Sequence, residues 1–486
     1  MAVTSDIKGA WVEGGTIYRR KPKPVHSKNW LKKNPGLPWP PRTPQNTGMK
    51  QLLLLAVLFL IQSAPAATVK DREGAVRGDK ARLENDPRWN WNDVDGGFRL
   101  AKTTGKPLLV VLRCLPCMSC AGIDASVLEE QELVPLLDQF VCVRIINANA
   151  LDLSRFQFDY DLSFSAILFN GDGTIYGRYG SWLHQKDPLN KTTASFKKAL
   201  EAGLAIHQGY PANKAALSGK QGGPTPYQTP IEFPTLAGKY QSKLDWNGKV
   251  VASCVHCHMM GDAFRAYYRG QNKPVPVEWI YPQPSIETLG ITLVTDEVAK
   301  VEAVADGSAA NAAGIQAGDI FTRLNGQPLV SIADVSWVLH RSPDSGSLPA
   351  TVLRSGKETA VTIDLPAGWR LKSDIGKRVG TWPMRAMAFG GMKMDDLPDE
   401  ERASMGLDKT QMALHIFHVG EFGQHAAAKK AGFKKDDIII QISDQKQRLT
   451  ESAIIGDLLL HHLPGEKIPA VVLRGKERVE LNLPQQ

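Results

Sequence analysis

The sequence predicts a multidomain chain, α/β in its first half and mainly β in its second. Three observations carry this. An apolar, β-branched run from Pro107 to Leu112 leads into a cysteine cluster, Cys114, Cys117 and Cys120, and then into a segment that can be helical, residues 121 to 132. Ala166–Phe169 and Thr174–Tyr179 flank the turn residues Asn170-Gly171-Asp172-Gly173 and read as a hairpin. From Ile286 onward, short strand patterns alternate with small-residue stretches, and one signature occurs twice.

At 486 residues the chain is long enough for about three or four domains. It carries 58 Lys/Arg against 50 Asp/Glu, a formal net charge of +8. Ten of those bases and only two of the acids lie before residue 67, which leaves 48 of each beyond it. The body is therefore neutral, and the basic balance is no argument for a nucleic-acid partner. Met49-Lys50, the apolar stretch Leu52–Ile61 and the small residues Ala64-Pro65-Ala66 have the form of a secretory signal peptide. A spanning helix needs about 20 apolar residues, and this core is roughly half that. Residues 49–67 are thus expected to export the rest, and membrane association is expected only if the segment stays uncleaved. Residues 1–48, Pro-rich and basic, read as an extension upstream of the real start at Met49 or as a long basic leader.

The elements follow in order. Residues 67 to 90 are polar and read as irregular. Trp89 to Lys102 reads as a helix with Trp91, Val94, Phe98 and Ala101 on one face. Leu108–Leu112 is a buried strand, Phe140–Ile146 another, and Phe196–His207 a closing helix. Cys142 sits mid-strand among apolar neighbours and reads as an inert buried thiol. A dithiol between a strand and a helix start suits redox chemistry, because the helix N-terminus favours a thiolate. A structural disulfide or a zinc clip is the alternative.

That element order resembles the thioredoxin superfamily over residues 86–207. The resemblance implies that Cys117 attacks a partner disulfide and Cys120 resolves it, with Cys114 forming a competing bridge. Two positions depart from the family. Ser165 stands where thioredoxins have a cis-proline, and Val111 stands where they carry a buried acid.

Residues 208–248 are rich in Gly, Pro and Ser/Thr and read as a linker. Then comes Cys254-Val255-His256-Cys257-His258. C-x-x-C-H is the attachment motif of c-type haem: two thiols form thioethers and the next His binds iron. Residues 208–285 are therefore expected to be a linker and covalent haem segment, with Cys254 and Cys257 attached and His258 as the metal ligand. Met384 and Met387 are candidates for the sixth ligand, with plain packing of these methionines and an open sixth site as the alternative. A zinc site or a disulfide at Cys254 and Cys257 is the other reading.

Thr288-Leu289-Gly290-Ile291-Thr292, the stretch Ala313-Gly314-Ile315-Gln316-Ala317-Gly318-Asp319-Ile320 and the turn Asn325-Gly326 resemble bacterial PDZ domains. This implies a PDZ domain over residues 286–366 that adds a partner's C-terminal strand to its sheet. The amides around Leu289, Gly290 and Ile291 would hold the terminal carboxylate, and the Leu289 and Ile291 side chains would border the last residue. Internal docking of a neighbouring segment is the alternative. Ala431-Gly432-Phe433-Lys434-Lys435-Asp436-Asp437-Ile438 repeats the signature. Residues 367–396 then read as a Met-rich linker and 397–486 as a second PDZ domain, with Met405-Gly406-Leu407 as its carboxylate loop. No serine-nucleophile signature such as Gly-Asn-Ser-Gly-Gly occurs.

The whole arrangement resembles a family of exported bacterial thioredoxin-like plus PDZ proteins, some of whose members are selenoproteins. The family resemblance carries no physiological role; the motifs read together point to an extracytoplasmic thiol–disulfide redox protein with covalent haem, whose PDZ domains recruit protein C-termini or extended peptides and which works with a redox partner protein. A non-catalytic haem-based sensor or scaffold, or an electron carrier, is the alternative.

Overall fold

The computed structural model describes residues 11–13, 16–18, 71–113, 128, 130–162, 164–180 and 193–486. The chain forms two units, Met1–Pro65 and Ala66–Gln486. In the first, Trp11–Glu13 pairs antiparallel with Thr16–Tyr18. The signal-like segment lies outside the described residues. Among those described, no helix is long and apolar enough to cross a membrane.

The second unit begins with α1, Arg72–Leu83, where an irregular segment was expected. Asp71 caps it by accepting from the Gly74 N–H. Its inward residues are Val76, Asp79 and Leu83. The stripe has helical spacing, but an aspartate at its centre hides it from a reading of apolar periodicity. The helix expected over Trp89–Lys102 divides into β1, Trp89–Trp91, and α2, Val94–Thr104. Asn92 at φ +55° turns the chain between them, and Asp93 caps α2 through the Gly96 N–H.

Strands β2 (Leu108–Arg113), β3 (Val141–Ile145), β4 (Phe164–Phe169) and β5 (Ile175–Tyr179) complete a sheet of order β1-β3-β2-β4-β5. β1 and β2 run parallel to β3, and β4 runs antiparallel to β2 and β5. Leu108, Val110 and Leu112 enter one core, and Leu109 and Val111 enter the core on the opposite face. Burial on both faces is why β2 reads as an unbroken apolar run. Helix α3, Thr193–Gln208, covers the second face through Phe196, Ala199 and Leu200. The expected helix over 121–132 falls for the most part outside the described residues.

Residues 208–270 are not a loose linker. Phe233, Leu236, Val255, Cys257, Met260 and Phe264 belong to the same core as Leu108, Val110 and Leu112. Glycine and proline prevented long elements here but did not prevent burial: the segment packs as short turns, such as Lys214–Lys220, and one helix, α4, Cys257–Gly270.

The first β-rich domain holds β6 (Ile291–Leu293) paired with β7 (Val301–Val304), and β8 (Ile320–Leu324) in a sheet with β9 (Gly346–Arg354) and β10 (Lys357–Leu365). Its helix α5 spans Ile332–Arg341. The second β-rich domain starts earlier than residue 397. Helix α6, Thr381–Phe389, and strand β11, Met392–Asp396, belong to it, followed by β12 (Leu414–Val419), β13 (Ile438–Ile442), α7 (Glu451–His461), β14 (Lys467–Arg474) and β15 (Glu477–Pro484). Strand order is β11 through β15.

The two β-rich domains repeat in detail. β8 pairs with β9 as Ile320↔Leu353 and Phe321↔Val352, then shifts register. β13 pairs with β14 as Ile438↔Leu473 and Ile439↔Val472, and shifts at the same place. Arg354 bonds Asp319 at 2.6 Å and Arg474 bonds Asp437 at 2.8 Å. Each arginine also donates to a carbonyl of its signature loop, Gly314 or Gly432. Gly318 has φ +91°, and Asp436 takes the same left-handed role at φ +69°.

Candidate functional site

β2 ends at the point the thioredoxin comparison made important. Leu112 faces Ser165 and Arg113 faces Phe164 across the antiparallel pair. Ser165 therefore lies beside the exit of β2, from which the chain runs on to Cys114. Cys114, Cys117 and Cys120 themselves lie outside the described residues. Arg113 is buried and its Nη1 donates to Asp79 Oδ1 at 2.6 Å. Val111 is buried as expected, and the carboxylate near this strand end comes instead from α1, a helix the sequence reading missed. Cys142 matches its inert reading: burial pushes its thiol up to about 12.

A cavity of about 680 Å³ opens against Ser165. Leu162, Ser165 and Gly180 line it from the α/β domain, Ser285, Glu287 and Thr288 from the loop before β6, and Ile332, Ala333 and Ser336 from α5. Lys372 and Lys377, both exposed, and the buried Arg378 line it as well. The two domains are held in place around it. Arg378 Nε donates to Asp161 at 2.9 Å, and its Nη2 donates to Asp159. Burial pushes the Asp159 carboxyl up to about 6, against the pull of Arg378. Burial acts on Asp161 too, but Arg378, Arg265 and the Gly380 N–H hold it below the usual carboxylate range.

The Leu289, Gly290 and Ile291 loop has the expected backbone and an unexpected side-chain disposition. Gly290 has φ +87°, its carbonyl accepts from the Ala305 N–H at 2.8 Å, and a Cβ there would lie 2.2 Å from that of Ser308. Leu289 and Ile291, however, are buried in the domain core. The loop side chains that reach the cavity are Ser285, Glu287 and Thr288.

In the second β-rich domain the equivalent loop is not Met405-Gly406-Leu407, which follows the short helix Asp399–Ser404. Ile291 pairs with Val304, and Met392 pairs with Val419. The Gly391 carbonyl accepts from the Gly420 N–H as the Gly290 carbonyl accepts from that of Ala305. The loop is thus Gly390-Gly391-Met392, at φ +57° and +91° for the glycines. In this domain the space between β11 and α7 is filled by the chain itself. Glu451 at the start of α7 accepts from the Met394 N–H and from Arg385 Nε, both at 2.9 Å. Ile280, Tyr281, Met384 and Ala388 pack with Ile454, Ile455 and Leu458 of α7 in one core. Met384 is accordingly a core residue of this domain, and Met387 packs against the same cluster.

Cys254 and Cys257 are 9% and 6% exposed. Cys254 Sγ donates to the Ile146 carbonyl at 3.4 Å, and Cys257 opens α4 within the core of the α/β domain. His256 and His258 are half-buried with ring centroids 5.7 Å apart. Both cysteines line a cavity of about 10 Å³, close to the room one water needs. Among the described residues, no group of three His, Cys, Asp or Glu gathers that could hold a metal ion.

Comparison with known proteins agrees with this division of the chain. Residues 89–171 match the thioredoxin-like family model. Residues 300–354 match the PDZ domain model. A probable periplasmic serine endoprotease DegP-like of Pseudomonas savastanoi pv. phaseolicola is 27% identical over 140 residues, 29% of this chain and 28% of that protein. The periplasmic serine endoprotease DegP of Escherichia coli K12 is 29% identical over 145 residues, 30% of this chain and 26% of its own. The chain thus spans just over a quarter of the length of these relatives. The solved HtrA-type protease AlgW with decapeptide is 22% identical, covering 27% of this chain and 38% of its own, at a TM-score of 0.18, too low to carry an argument. The chain therefore has a thioredoxin-like α/β region and a PDZ-like β-rich region, the mixed fold class expected.

Proposed function

We propose that this chain is an extracytoplasmic thiol–disulfide redox protein whose first PDZ domain brings a partner's C-terminal segment to the redox face. The observation that carries this is the shared cavity. Ser165, beside the strand end that leads to the cysteine cluster, lines the same cavity as the loop before β6 and the start of α5. A tail held by the PDZ loop would extend toward the thioredoxin-like face, with Lys372 and Lys377 as cationic rim. Cys117 then attacks the partner disulfide, Cys120 resolves it, and Cys114 forms the competing bridge. Residues 381–486 serve as a second PDZ-like module whose groove is closed internally by Glu451, α6 and residues 275–281, so it is structural. Export is supported by the signal-like segment and by the periplasmic relatives.

The test is binding and exchange by the full chain. Peptides with a free C-terminus and an apolar last residue should bind. Their C-terminal amides should bind roughly tenfold more weakly or worse, a difference of about 1.4 kcal/mol. Ser336→Trp, which fills the cavity, should abolish binding and slow reduction of a disulfide placed near that terminus, while reduction of a non-tethered disulfide persists. Equal binding of acid and amide peptides would remove the recruitment reading. A chain that exchanges with no protein disulfide would remove the redox reading.

A further inference from the structure

The second β-rich domain departs from the first at two places where the repeated fold does not require it. The hydrogen bond common to both, from the Ala305 N–H to the Gly290 carbonyl and from the Gly420 N–H to the Gly391 carbonyl, aligns the two copies. Counting on from it, Glu421 and Phe422 stand where the first copy has Asp306 and Gly307. Phe422 is 82% exposed, more than any other large hydrophobic side chain among the described residues. Counting from Gly432 and Gly314 in the signature, Lys429, Lys430, Lys434 and Lys435 stand where the first copy has Asn311, Ala312, Gln316 and Ala317. All four lysines are exposed. One copy closes this turn with glycine and small neutral residues, so folding demands neither an aromatic tip nor a basic loop in the other. An exposed apolar group that folding does not need points to contact with something outside the chain.

The tip and the lysines share one surface with Trp382 of α6. The His425 N–H donates to the Phe422 carbonyl at 3.1 Å, and the His425 ring stacks on Trp382 with centroids 5.1 Å apart. His418 lies 5.5 Å from the same indole, and Lys393 of β11 faces His418 across the strand pair. Lys429 Nζ bonds Glu421 at 2.7 Å, which ties the basic loop to the residue before Phe422. Trp382 is 39% exposed, and Val379, whose carbonyl accepts from the Trp382 N–H, is 49% exposed. Neither cavity described above is lined by Phe422 or Trp382, so the patch offers rings on a surface and no cleft for a peptide. Apolar rings fringed by lysines suit a lipid–water boundary. The rings enter the acyl edge, while the indole N–H and the ammonium groups stay among the headgroups.

We propose that Phe422 and Trp382, with Lys393, Lys429 and Lys430, dock the chain on a membrane surface rich in anionic headgroups. Phe422 is the anchor and Trp382 sits at headgroup level beside it. The lysines meet the lipid phosphates, and Lys434 and Lys435 extend the basic loop. Such docking needs neither the cysteine chemistry nor peptide recruitment. It gives the second β-rich domain, whose interior the chain itself fills, a role on its outer surface.

The experiment measures co-sedimentation of the full chain with vesicles of phosphatidylcholine alone and of a phosphatidylcholine–phosphatidylglycerol mixture. The expected result is binding to the mixed vesicles that weakens as salt rises. Phe422→Asp should lower the partition coefficient about tenfold or more, through loss of the buried ring. Lys429→Gln combined with Lys430→Gln should lower it about tenfold. Brominated acyl chains should quench part of the tryptophan fluorescence, and Trp382→Phe should remove that quenching. All of these side chains are wholly or partly exposed, and unchanged urea midpoints would verify that the variants fold. Equal binding to both kinds of vesicle overturns the proposal. Binding that Phe422→Asp leaves unchanged also overturns it, the result expected if the apolar stretch Leu52–Ile61 held the lipid instead. No binding to either vesicle overturns it and leaves the patch to a protein partner.

Discussion

Lys220 Nζ lies 2.7 Å from Asp334 Oδ2, and both side chains are 1% exposed. This pair joins the segment after the thioredoxin-like region to the PDZ helix α5. Asp334 also accepts from the Arg178 and Val330 N–H groups, both at 3.0 Å. Arg178 lies over Trp337 at 3.5 Å, and the Trp337 indole N–H donates to the Gly219 carbonyl. Gly177 permits the approach, since a Cβ there would lie 2.2 Å from Val330 Cγ2. The partnership of the two domains around the cavity is therefore built, not incidental.

Removing one charge of that pair should be costly. Lys220→Ala leaves a buried carboxylate with two backbone donors and without its hydrogen-bonded cation, and should destabilise the chain by about 3–5 kcal/mol in urea unfolding. Replacing Asp334 as well with an apolar residue should not recover that loss, because the Arg178 and Val330 N–H groups then lose their acceptor. If the single variant unfolds at the wild-type urea midpoint, the pair does not hold the interface.

Glu451 offers a matched test in the second β-rich domain. Glu451→Ala leaves the buried Arg385 unpaired and the Met394 N–H without its acceptor, an expected loss of about 3–5 kcal/mol. Glu451→Gln keeps an acceptor for Met394 and should cost less. Neither variant should alter the peptide binding proposed for the first β-rich domain, which titration with a free-terminus peptide would check.

Cys142 should be silent in the native protein. Its thiol is raised to about 12 by burial, so iodoacetamide at pH 8 should leave it unmodified until denaturant is added. Native-state labelling at residue 142 would show that β3 opens locally.

The pH dependence has two opposed parts, one at His340 and one at Asp159. Burial, with Arg370, Arg341, Arg178 and Arg378 nearby, lowers His340 to about 3. Its unfolded pKa is about 6.5, so the unfolded state binds more protons below pH 6.5 and stability falls as pH drops. Asp159, raised to about 6, acts the other way: the folded state binds more protons between about pH 4 and 6, and stability falls as pH rises through that window. Comparing urea midpoints at pH 5 and pH 7, His340→Gln should raise the pH 5 value relative to pH 7. Asp159→Asn should raise the pH 7 value relative to pH 5. Identical pH profiles for wild type and both variants would mean neither group is held as the structure shows.

The fold class was readable from local signals, since those signals are local physics. An apolar run bounded by polar residues makes a two-face-buried strand at Leu108–Arg113, and Gly-Asp-Gly makes the turn before Ile175. The repeated Ala-Gly signature fixes a backbone loop that ends at Asp319 in one domain and Asp437 in the other, each paired with an arginine from the hairpin. Helix α1 was hidden because its inner stripe contains Asp79, whose partner Arg113 lies 34 residues on. The loop at Gly391 escaped notice because only strand pairing shows that Met392 stands where Ile291 does. C-x-x-C-H spacing expresses a covalent possibility, but burial is a property of the surroundings. Only packing could show that Cys254 and Cys257 share a water-sized cavity with Arg113, through hydrogen bonds that Asn149 makes across more than 100 residues of chain.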